Sequence, residues 1–476
     1  MAARVACSLR SEPYKRYLIQ FAHDLLDFRL QEIKSIISLL GCQASLRNTD
    51  LNNGSPFMEV ALTSEEDAKA IMHRTVLSKS MYELWAEGSS ISEVNMKLKQ
   101  LPKGFTEPYT QENSSFRIMV DTFNKKISSS EKIKRIELLT DTESMFKGKI
   151  KLSSPEHSFH LLEFYKFDSA PSTEPEKVYF GRWISDGHRS VIKEFHLQTR
   201  HFIANTSMDA CLSLVMANLA QVKESDLVLD PFVGSGGLLV SSAHYGAYVL
   251  GTDIDYMLLH AKARPSRAKQ TTRAIDESVR SNLRQYGLES KYIDVLVADA
   301  SQNHMWREGW RFDAIITDPP YGIREAAAKI ACKETADVPT TEGEPHYPQR
   351  TQYQLGDIFR DLLNFAAKYL CLGGRLVYWL PIYKPDYSES CIPKHPCMSL
   401  ESNCEQPLSQ HISRRLITMV KIREFQELSD WDEASTKVNS VNSFRNNYFK
   451  SMQAVGVLNS DSVLRSEPLT SKQEGL

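Results

Sequence analysis

Four apolar runs in the second half of this 476-residue chain each close on an aspartate: Asp230, Asp253, Asp299 and Asp318. No other feature restricts the fold as much. Unbroken apolar runs are the mark of parallel strands buried on both faces. In an open α/β sheet, ligands bind beyond the carboxyl ends of the strands, where the strand order reverses. Four such strands in one sheet would deliver four carboxylates to one crevice. Further strands are expected at 374–380, 400–405 and 414–422, with a helix over 357–372. The sum is a doubly wound, Rossmann-like sheet of seven strands whose last strand runs antiparallel.

The first of the four runs continues into a glycine turn, Leu227-Val228-Leu229-Asp230-Pro231-Phe232-Val233-Gly234-Ser235-Gly236-Gly237, followed by helix-forming residues over 238–245. Gly234, Gly236 and Gly237 let the backbone approach a ligand, and the helix presents its amino end there. The dinucleotide fingerprint requires a third glycine at position 239, where this chain has Leu239. A short turn beside Asp230-Pro231 suits a ligand without a pyrophosphate, such as S-adenosylmethionine, whose amino-acid and ribose groups need acceptors as well as donors. Asp253-Ile254 follows about twenty residues on, the place of an acid that takes ribose hydroxyls. Asp299-Ala300 closes the third run, placed to accept from an adenine amino group.

The fourth run ends in Asp318-Pro319-Pro320-Tyr321. An exocyclic amine on a nucleobase is a poor nucleophile, because its lone pair is delocalised into the ring. A carboxylate and the Pro319 carbonyl, accepting both amine hydrogens, would favour the tetrahedral nitrogen of the transition state. Two prolines stiffen the turn, each fixing its own φ and extending the residue before it. Tyr321 can stack on the base, a contact worth roughly 1 to 3 kcal/mol. The turn therefore points to methylation of an amino group. Adenine N6 and a protein glutamine satisfy the same chemistry.

The rest of the chain sets bounds. Residues 17–86 alternate strand-like and helical segments, 87–113 are polar and turn-rich, and 179–184 form another apolar segment. Eight scattered cysteines suit a reducing compartment rather than a disulfide framework. Cys391, His395, Cys397 and Cys404 match no standard zinc spacing, so no metal is expected. No apolar run reaches the ~18 residues of a membrane helix, which makes the cytosol or nucleus the expected compartment. A net charge of −2 decides nothing about nucleic acid, because a local basic face can sit on a neutral whole. Such a face is expected at Lys262, Arg264, Arg267 and Lys269, continuing through Arg273, Arg280 and Arg284, with Arg182, Arg414 and Arg415 as further RNA contacts.

Tyr179-Phe180-Gly181-Arg182-Trp183-Ile184, His201-Phe202-Ile203, Asn205-Thr206-Ser207-Met208-Asp209, the glycine turn, Gly251-Thr252-Asp253-Ile254-Asp255, Asn282-Leu283-Arg284-Gln285-Tyr286-Gly287 and the Asp318 turn together closely resemble the eukaryotic THUMP-containing tRNA (guanine-10-N2)-methyltransferases. The resemblance implies a class I S-adenosylmethionine-dependent methyltransferase fold behind an α+β amino-terminal region. It places a ferredoxin-like domain at 1–87, a THUMP RNA-binding module at 88–168, a linker at 169–200 and the methyltransferase domain at 201–450; the polar composition of 451–476 makes that stretch an expected disordered tail. It further implies that Arg200, Thr206 and Ser207 fold over the cofactor, that tRNA is the substrate, and that a small zinc-binding activator subunit completes a cytoplasmic heterodimer. A tRNA-binding protein with a vestigial catalytic fold is the alternative of another class.

Overall fold

The computed structural model describes residues 14–47, 55–139, 145–166, 173–267, 269–323, 325, 327–331, 349–426 and 443–454. The chain divides into two units, one through Val191 and one from Ile192.

The first unit is built on one eight-stranded sheet. Its strands are β1 (Lys15–Phe21), β2 (Ala44–Arg47), β3 (Phe57–Leu62), β4 (Ser78–Gly88), β5 (Ser115–Phe123), β6 (Lys149–Ile150), β7 (His157–Phe164) and β8 (Lys177–Asp186), in the order β2-β3-β1-β4-β8-β7-β5-β6. The first four, with helices Arg29–Leu40 and Glu65–Arg74, form the split βαββαβ arrangement of ferredoxin-like folds. The helix over Glu65–Arg74 starts where Ser64 accepts the Asp67 amide at 3.0 Å. The turn-rich segment expected after residue 87 folds into helices Ile91–Lys99 and Lys103–Thr110.

The segment 169–200 is not a linker throughout. Within it β8 runs antiparallel between β4 and β7 in the middle of the sheet. Gly181 makes that pairing close: a Cβ there would lie 2.6 Å from the Glu83 carbonyl oxygen. A single apolar segment does not announce which strands will flank it. The same strand corrects the reading of Arg182. This side chain is buried, bonded through Nε to Glu83 at 2.9 Å and through Nη2 to Glu65, with its guanidinium 3.9 Å from the centre of the Tyr109 ring. It is an internal ion pair, not a surface contact for phosphate.

The second unit carries the seven-stranded sheet. Its strands are β9 (Leu227–Asp230), β10 (Tyr248–Asp253), β11 (Tyr292–Val297), β12 (Phe312–Thr317), then a hairpin of β13 (Ala328–Ile330) and β14 (Arg350–Gln352), then β15 (Leu370–Tyr383), β16 (Met398–Pro407) and β17 (Ile412–Lys421). The order is β11-β10-β9-β12-β15-β17-β16. The pairs from β11 through β15 are parallel, and β17 is antiparallel to both of its neighbours. Strand order reverses between β9 and β12, so the ligand crevice lies at the ends of those two strands. Helix Leu355–Tyr369 packs Ile358, Phe359, Leu362 and Ala366 into the core against Ile315, Leu376 and Tyr378. Burying one such large side chain contributes about 1.5 to 3 kcal/mol.

Of the insertion expected over 323–354, residues 332–348 lie outside the described residues, and its two ends pair as β13 and β14. A helix the sequence did not signal, Phe444–Ala454, crosses into the segment expected as a disordered tail; residues 455–476 lie outside the described residues. Among the described residues no helix is long and apolar enough to cross a membrane.

Candidate active site at the strand ends

Asp230, Asp253, Asp299 and Asp318 line a single cavity of about 1010 Å³. Thr206, Ser207, Pro231, Gly234, Gly237, Ile254, Ala300, Pro319, Pro320 and Tyr321 share its wall, as do Arg264 and Arg414. The Asp318–Tyr321 turn and the glycine turn thus meet, though 88 positions separate Asp230 from Asp318. What joins them is the adjacency of β9 and β12.

Each acid has its own surroundings. Asp230 is buried and accepts the Thr317 hydroxyl at 2.7 Å and the Phe232 amide at 3.1 Å. Burial nevertheless pushes its carboxyl up to about 7, helped by the nearby charges of Asp253 and Asp318. Asp253 accepts the Gly234 amide through Oδ2 and the Asp255 amide through Oδ1, both at 2.9 Å, and so holds the glycine turn. Burial raises it to about 6, with Glu325 and Asp255 adding to the rise. Asp299 accepts the Ser301 amide at 2.9 Å and the Ile330 amide at 2.7 Å. Its second bond ties β13 to the sheet, a role beyond the adenine contact expected of it.

Asp318 carries two donors, one on each oxygen. Tyr321 donates its hydroxyl to Oδ1, and Arg414 donates from Nη1 to Oδ2 at 3.3 Å. Burial raises the Asp318 carboxyl above its ordinary range, and the Arg414 charge opposes the rise. With 24% of its side chain accessible, Asp318 stays open to a ligand while the packed walls of the cavity hold that carboxyl up. Desolvation and the Asp318 charge push the Tyr321 phenol well above its usual value, so it remains a donor. The sequence reading assigned Tyr321 only to stacking; its hydroxyl also steadies the carboxylate.

The segment before the first strand is clamped onto the glycine turn. Asn282 accepts the Phe202 amide at 2.8 Å and donates to the Phe202 and Ser235 carbonyls at 2.8 and 3.1 Å. Ser207 and Ser235 hydroxyls lie 2.6 Å apart, and Thr206 donates to Glu325. Arg200 and Gly236 stand behind the cavity wall rather than in it. Arg200 is buried, donates to the Phe195 carbonyl at 2.9 Å, and lies 3.2 Å from where a Cβ on Gly237 would be. Gly236, at φ +78°, faces Val279 so closely that a Cβ would sit 2.4 Å from its Cγ1.

The expected basic face is thinner than its composition. Arg273 is buried in a pair with Glu277 at 2.7 Å, and Arg280 and Arg284 both pair with Glu289 at 2.8 Å. Arg267 donates to the Arg200 carbonyl. Lys262 is exposed, its ammonium 4.9 Å from the centre of the Tyr256 ring and donating to the Tyr256 hydroxyl at 3.1 Å, and Lys269 is exposed. Arg415 pairs with Glu405 at 3.1 Å and stacks at 4.1 Å on Tyr387. Sequence reasoning missed Glu325, Phe444 and Tyr448 as parts of the wall. It also placed Arg414 on the RNA surface, whereas the guanidinium turns inward to Asp318.

The family model for the Tmrp11 THUMP N-terminal domain matches residues 15–189, and that for the RMKL-like methyltransferase domain matches residues 198–333. The tRNA (guanine(10)-N(2))-methyltransferase TRMT11 of Gallus gallus is 50% identical over 445 residues, covering 91% of this chain and 95% of that protein. The chain belongs to the TRMT11 family of tRNA (guanine(10)-N(2))-methyltransferases. The Mus musculus member is 49% identical over 443 residues, with the same two coverages. Among solved structures, TrmN from Thermus thermophilus aligns at a TM-score of 0.40 with 17% identity, covering 86% of this chain and 100% of that one.

The TRMT11 family reading makes the fold that of a class I methyltransferase behind a THUMP-type region, and S-adenosylmethionine the cofactor. The cavity fits that group. Two carboxylates in its wall, the buried Asp230 and the half-buried Asp253, are raised to about 7 and 6 and would be favoured in their charged form by a positive ligand, and the cofactor carries both an ammonium and a sulfonium. The backbone at Gly234, at φ +51° with open space around it, leaves room for a ligand against the turn.

Proposed function

We propose that this chain methylates N2 of guanosine 10 in tRNA, and that the site carries out the reaction through Asp318. The observation that carries the reading is the placement of the Asp318 carboxylate beside Asp230 and Asp253 in one cavity. S-adenosylmethionine, when bound, supplies an electrophilic methyl group. Asp230, Asp253 and Ile254, with the turn at Gly234 and Gly237, are the residues that would hold it, with Asp299 and Ala300 at the adenine end and Thr206 and Ser207 over it.

The chain's own work is to make the amine nucleophilic. The Asp318 carboxylate and the Pro319 carbonyl accept its two hydrogens, drawing the nitrogen out of conjugation with the ring. Asp318, more basic than an ordinary carboxylate because of its burial, takes the proton the nitrogen sheds. The Tyr321 ring flanks the base, and the turn's two prolines keep the acceptors at fixed angles.

Delivery of the base calls for a grip on the rest of the tRNA. The THUMP-type unit supports that grip, and Arg264 in the cavity wall, with the exposed Lys262 and Lys269 close to it in sequence, is suited to phosphate. The edge strand β11 exposes Ile293 at 45%, Leu296 at 39% and Val297 at 45%. Bare apolar edges invite pairing with another chain, which supports docking of the small zinc-binding activator subunit there. The scattered cysteines support a reducing compartment such as the cytoplasm.

The test is nucleoside mass spectrometry of tRNA incubated with the full chain, the activator subunit and labelled S-adenosylmethionine. N2-methylguanosine is the expected product. Label in methyladenosine alone would overturn the guanine assignment, and S-adenosylmethionine-independent tRNA binding without label would favour a non-catalytic role.

A further inference from the structure

Arg414 is built into the site by three supports that have nothing to do with RNA. It lies on β17 opposite Pro381 of β15 and Gln406 of β16. Because β17 runs antiparallel to β15, its first residues return to the carboxyl end of the parallel strands, where Asp318 waits. The guanidinium sits 4.0 Å from the centre of the Trp379 ring, and that indole is fully buried. Its Nε donates to Gln406 Oε1 at 2.7 Å, leaving Nη1 to meet Asp318 Oδ2 at 3.3 Å. Only 14% of the Arg414 side chain is accessible. A planar guanidinium held by a ring face and one anchored nitrogen has little freedom left, so its remaining donors have a fixed aim.

We propose that Arg414 is a positioning residue for the reaction: it keeps the Asp318 carboxylate ionised and turned so that its free lone pairs meet the amine hydrogens. The inference rests on the guanosine-methylation reading above. The groups around Asp318 make the need plain. Tyr321 from the turn is a neutral donor; Asp230 from β9 and Glu325 from the segment before β13 are both acidic and lie near. Arg414 from β17 is the cation bonded to it. Burial disfavours the charged carboxylate, and of the influences opposing burial the Arg414 charge is the largest. A protonated Asp318 would offer one hydrogen where the amine needs an acceptor, so activity must fall as pH falls through its pKa. Without Arg414 that pKa rises, and the acid limb of the pH profile moves upward.

The experiment compares kcat, KM for tRNA and the pH dependence of kcat for the full wild-type chain, Arg414→Gln and Arg414→Lys, with S-adenosylmethionine binding followed by calorimetry. For Arg414→Gln the expected result is kcat at neutral pH lowered about tenfold or more, KM for tRNA little changed, and the acid limb displaced upward by about one pH unit or more, as befits loss of a cation at contact distance. Arg414→Lys keeps the charge without the stacked fork; its acid limb should return toward wild type while kcat stays reduced. A raised KM with unchanged kcat and pH profile, in either variant, would make Arg414 a phosphate contact and overturn the proposal. Should Arg414→Gln fail to bind S-adenosylmethionine through misfolding, the Lys variant decides alone by the same split. A wild-type chain that forms no N2-methylguanosine with the activator subunit present would overturn the underlying reading, whereas wild-type turnover with an unmoved acid limb in Arg414→Gln overturns only the role of Arg414.

Discussion

Thr317 donates its hydroxyl to Asp230 across 2.7 Å, joining the last residue of β12 to the last residue of β9 inside the sheet. The bond links the strand that carries the Asp318 turn to the strand that carries the glycine turn. Both residues are buried, so the acceptor has no water to replace a lost donor.

Thr317→Val removes that donor with almost no change in volume. A hydrogen bond to an ionised group contributes roughly 1.5 to 3 kcal/mol, so a loss of that order is expected in urea unfolding at pH 8. The loss should shrink at pH 6, where Asp230 carries a proton. Equal stability of wild type and variant at pH 8 would remove this bond from the account.

Asp230 is held at a cost to stability. Its carboxyl rises from an ordinary 3.8 to about 7. Between those values the folded chain keeps a proton that the unfolded chain has lost, so this group's contribution falls as pH rises and its penalty is complete above about 7. Asp230→Asn should therefore raise the Tm of the ligand-free chain at pH 8 and at the same time weaken S-adenosylmethionine binding. In the wild type, affinity for that cation should decline from pH 8 to pH 5.5 as Asp230 and then Asp253, raised to about 6, are neutralised. Calorimetry across that range showing flat affinity would contradict the electrostatic part of the site.

Gly236 bears two separable constraints, a φ of +78° and the contact with Val279. Gly236→Ala should destabilise the chain by more than the roughly 1 to 2 kcal/mol of the left-handed conformation alone. Adding Val279→Ala should recover only the steric part. Full recovery in the double variant, read by thermal melts, would mean the backbone angle is not required.

The Asn282 clamp predicts a fourth dependence. Asn282→Asp keeps the shape but sets an acceptor against the Phe202 and Ser235 carbonyls, where two donors stood. Stability should drop by about 2 kcal/mol or more, and S-adenosylmethionine should bind more weakly because residues 202–207 are no longer pinned. Unchanged affinity would show that the segment orders itself without the clamp.

Much of the site could be read from the sequence because its signals are local. A strand, an acid and a glycine turn are contiguous, and the topology of parallel sheets gathers their ends by rule. The convergence of Asp230, Asp253, Asp299 and Asp318 followed from the same rule, whereas the antiparallel final strand was expected as part of a methyltransferase-type sheet. Arg414 and Glu325 escaped because their meaning is tertiary: Arg414 meets an acid 96 residues away, and Glu325 accepts from Thr206, 119 residues away. The basic face at 262–284 was overcounted, although Arg273 and Glu277 stand four apart and that spacing alone signals a pair. Strand β8 is legible as an apolar segment over 179–184, but its place between β4 and β7, inside the stretch expected as a linker, is tertiary and no local pattern shows it. The helix at Phe444–Ala454 gave no pattern before the structure showed Phe444 and Tyr448 against the cavity.

The central claim is that the Asp318 carboxylate accepts the hydrogens of a guanine amine. Its most direct test is single-turnover methylation of tRNA by the Asp318→Ala chain, with S-adenosylmethionine affinity measured on the same preparation. The account predicts N2-methylguanosine formation reduced by at least about a thousandfold with cofactor affinity within a few-fold of wild type, a loss on the scale of removing a fixed transition-state acceptor. Methylation at the wild-type rate, with the cofactor bound as usual, would contradict it.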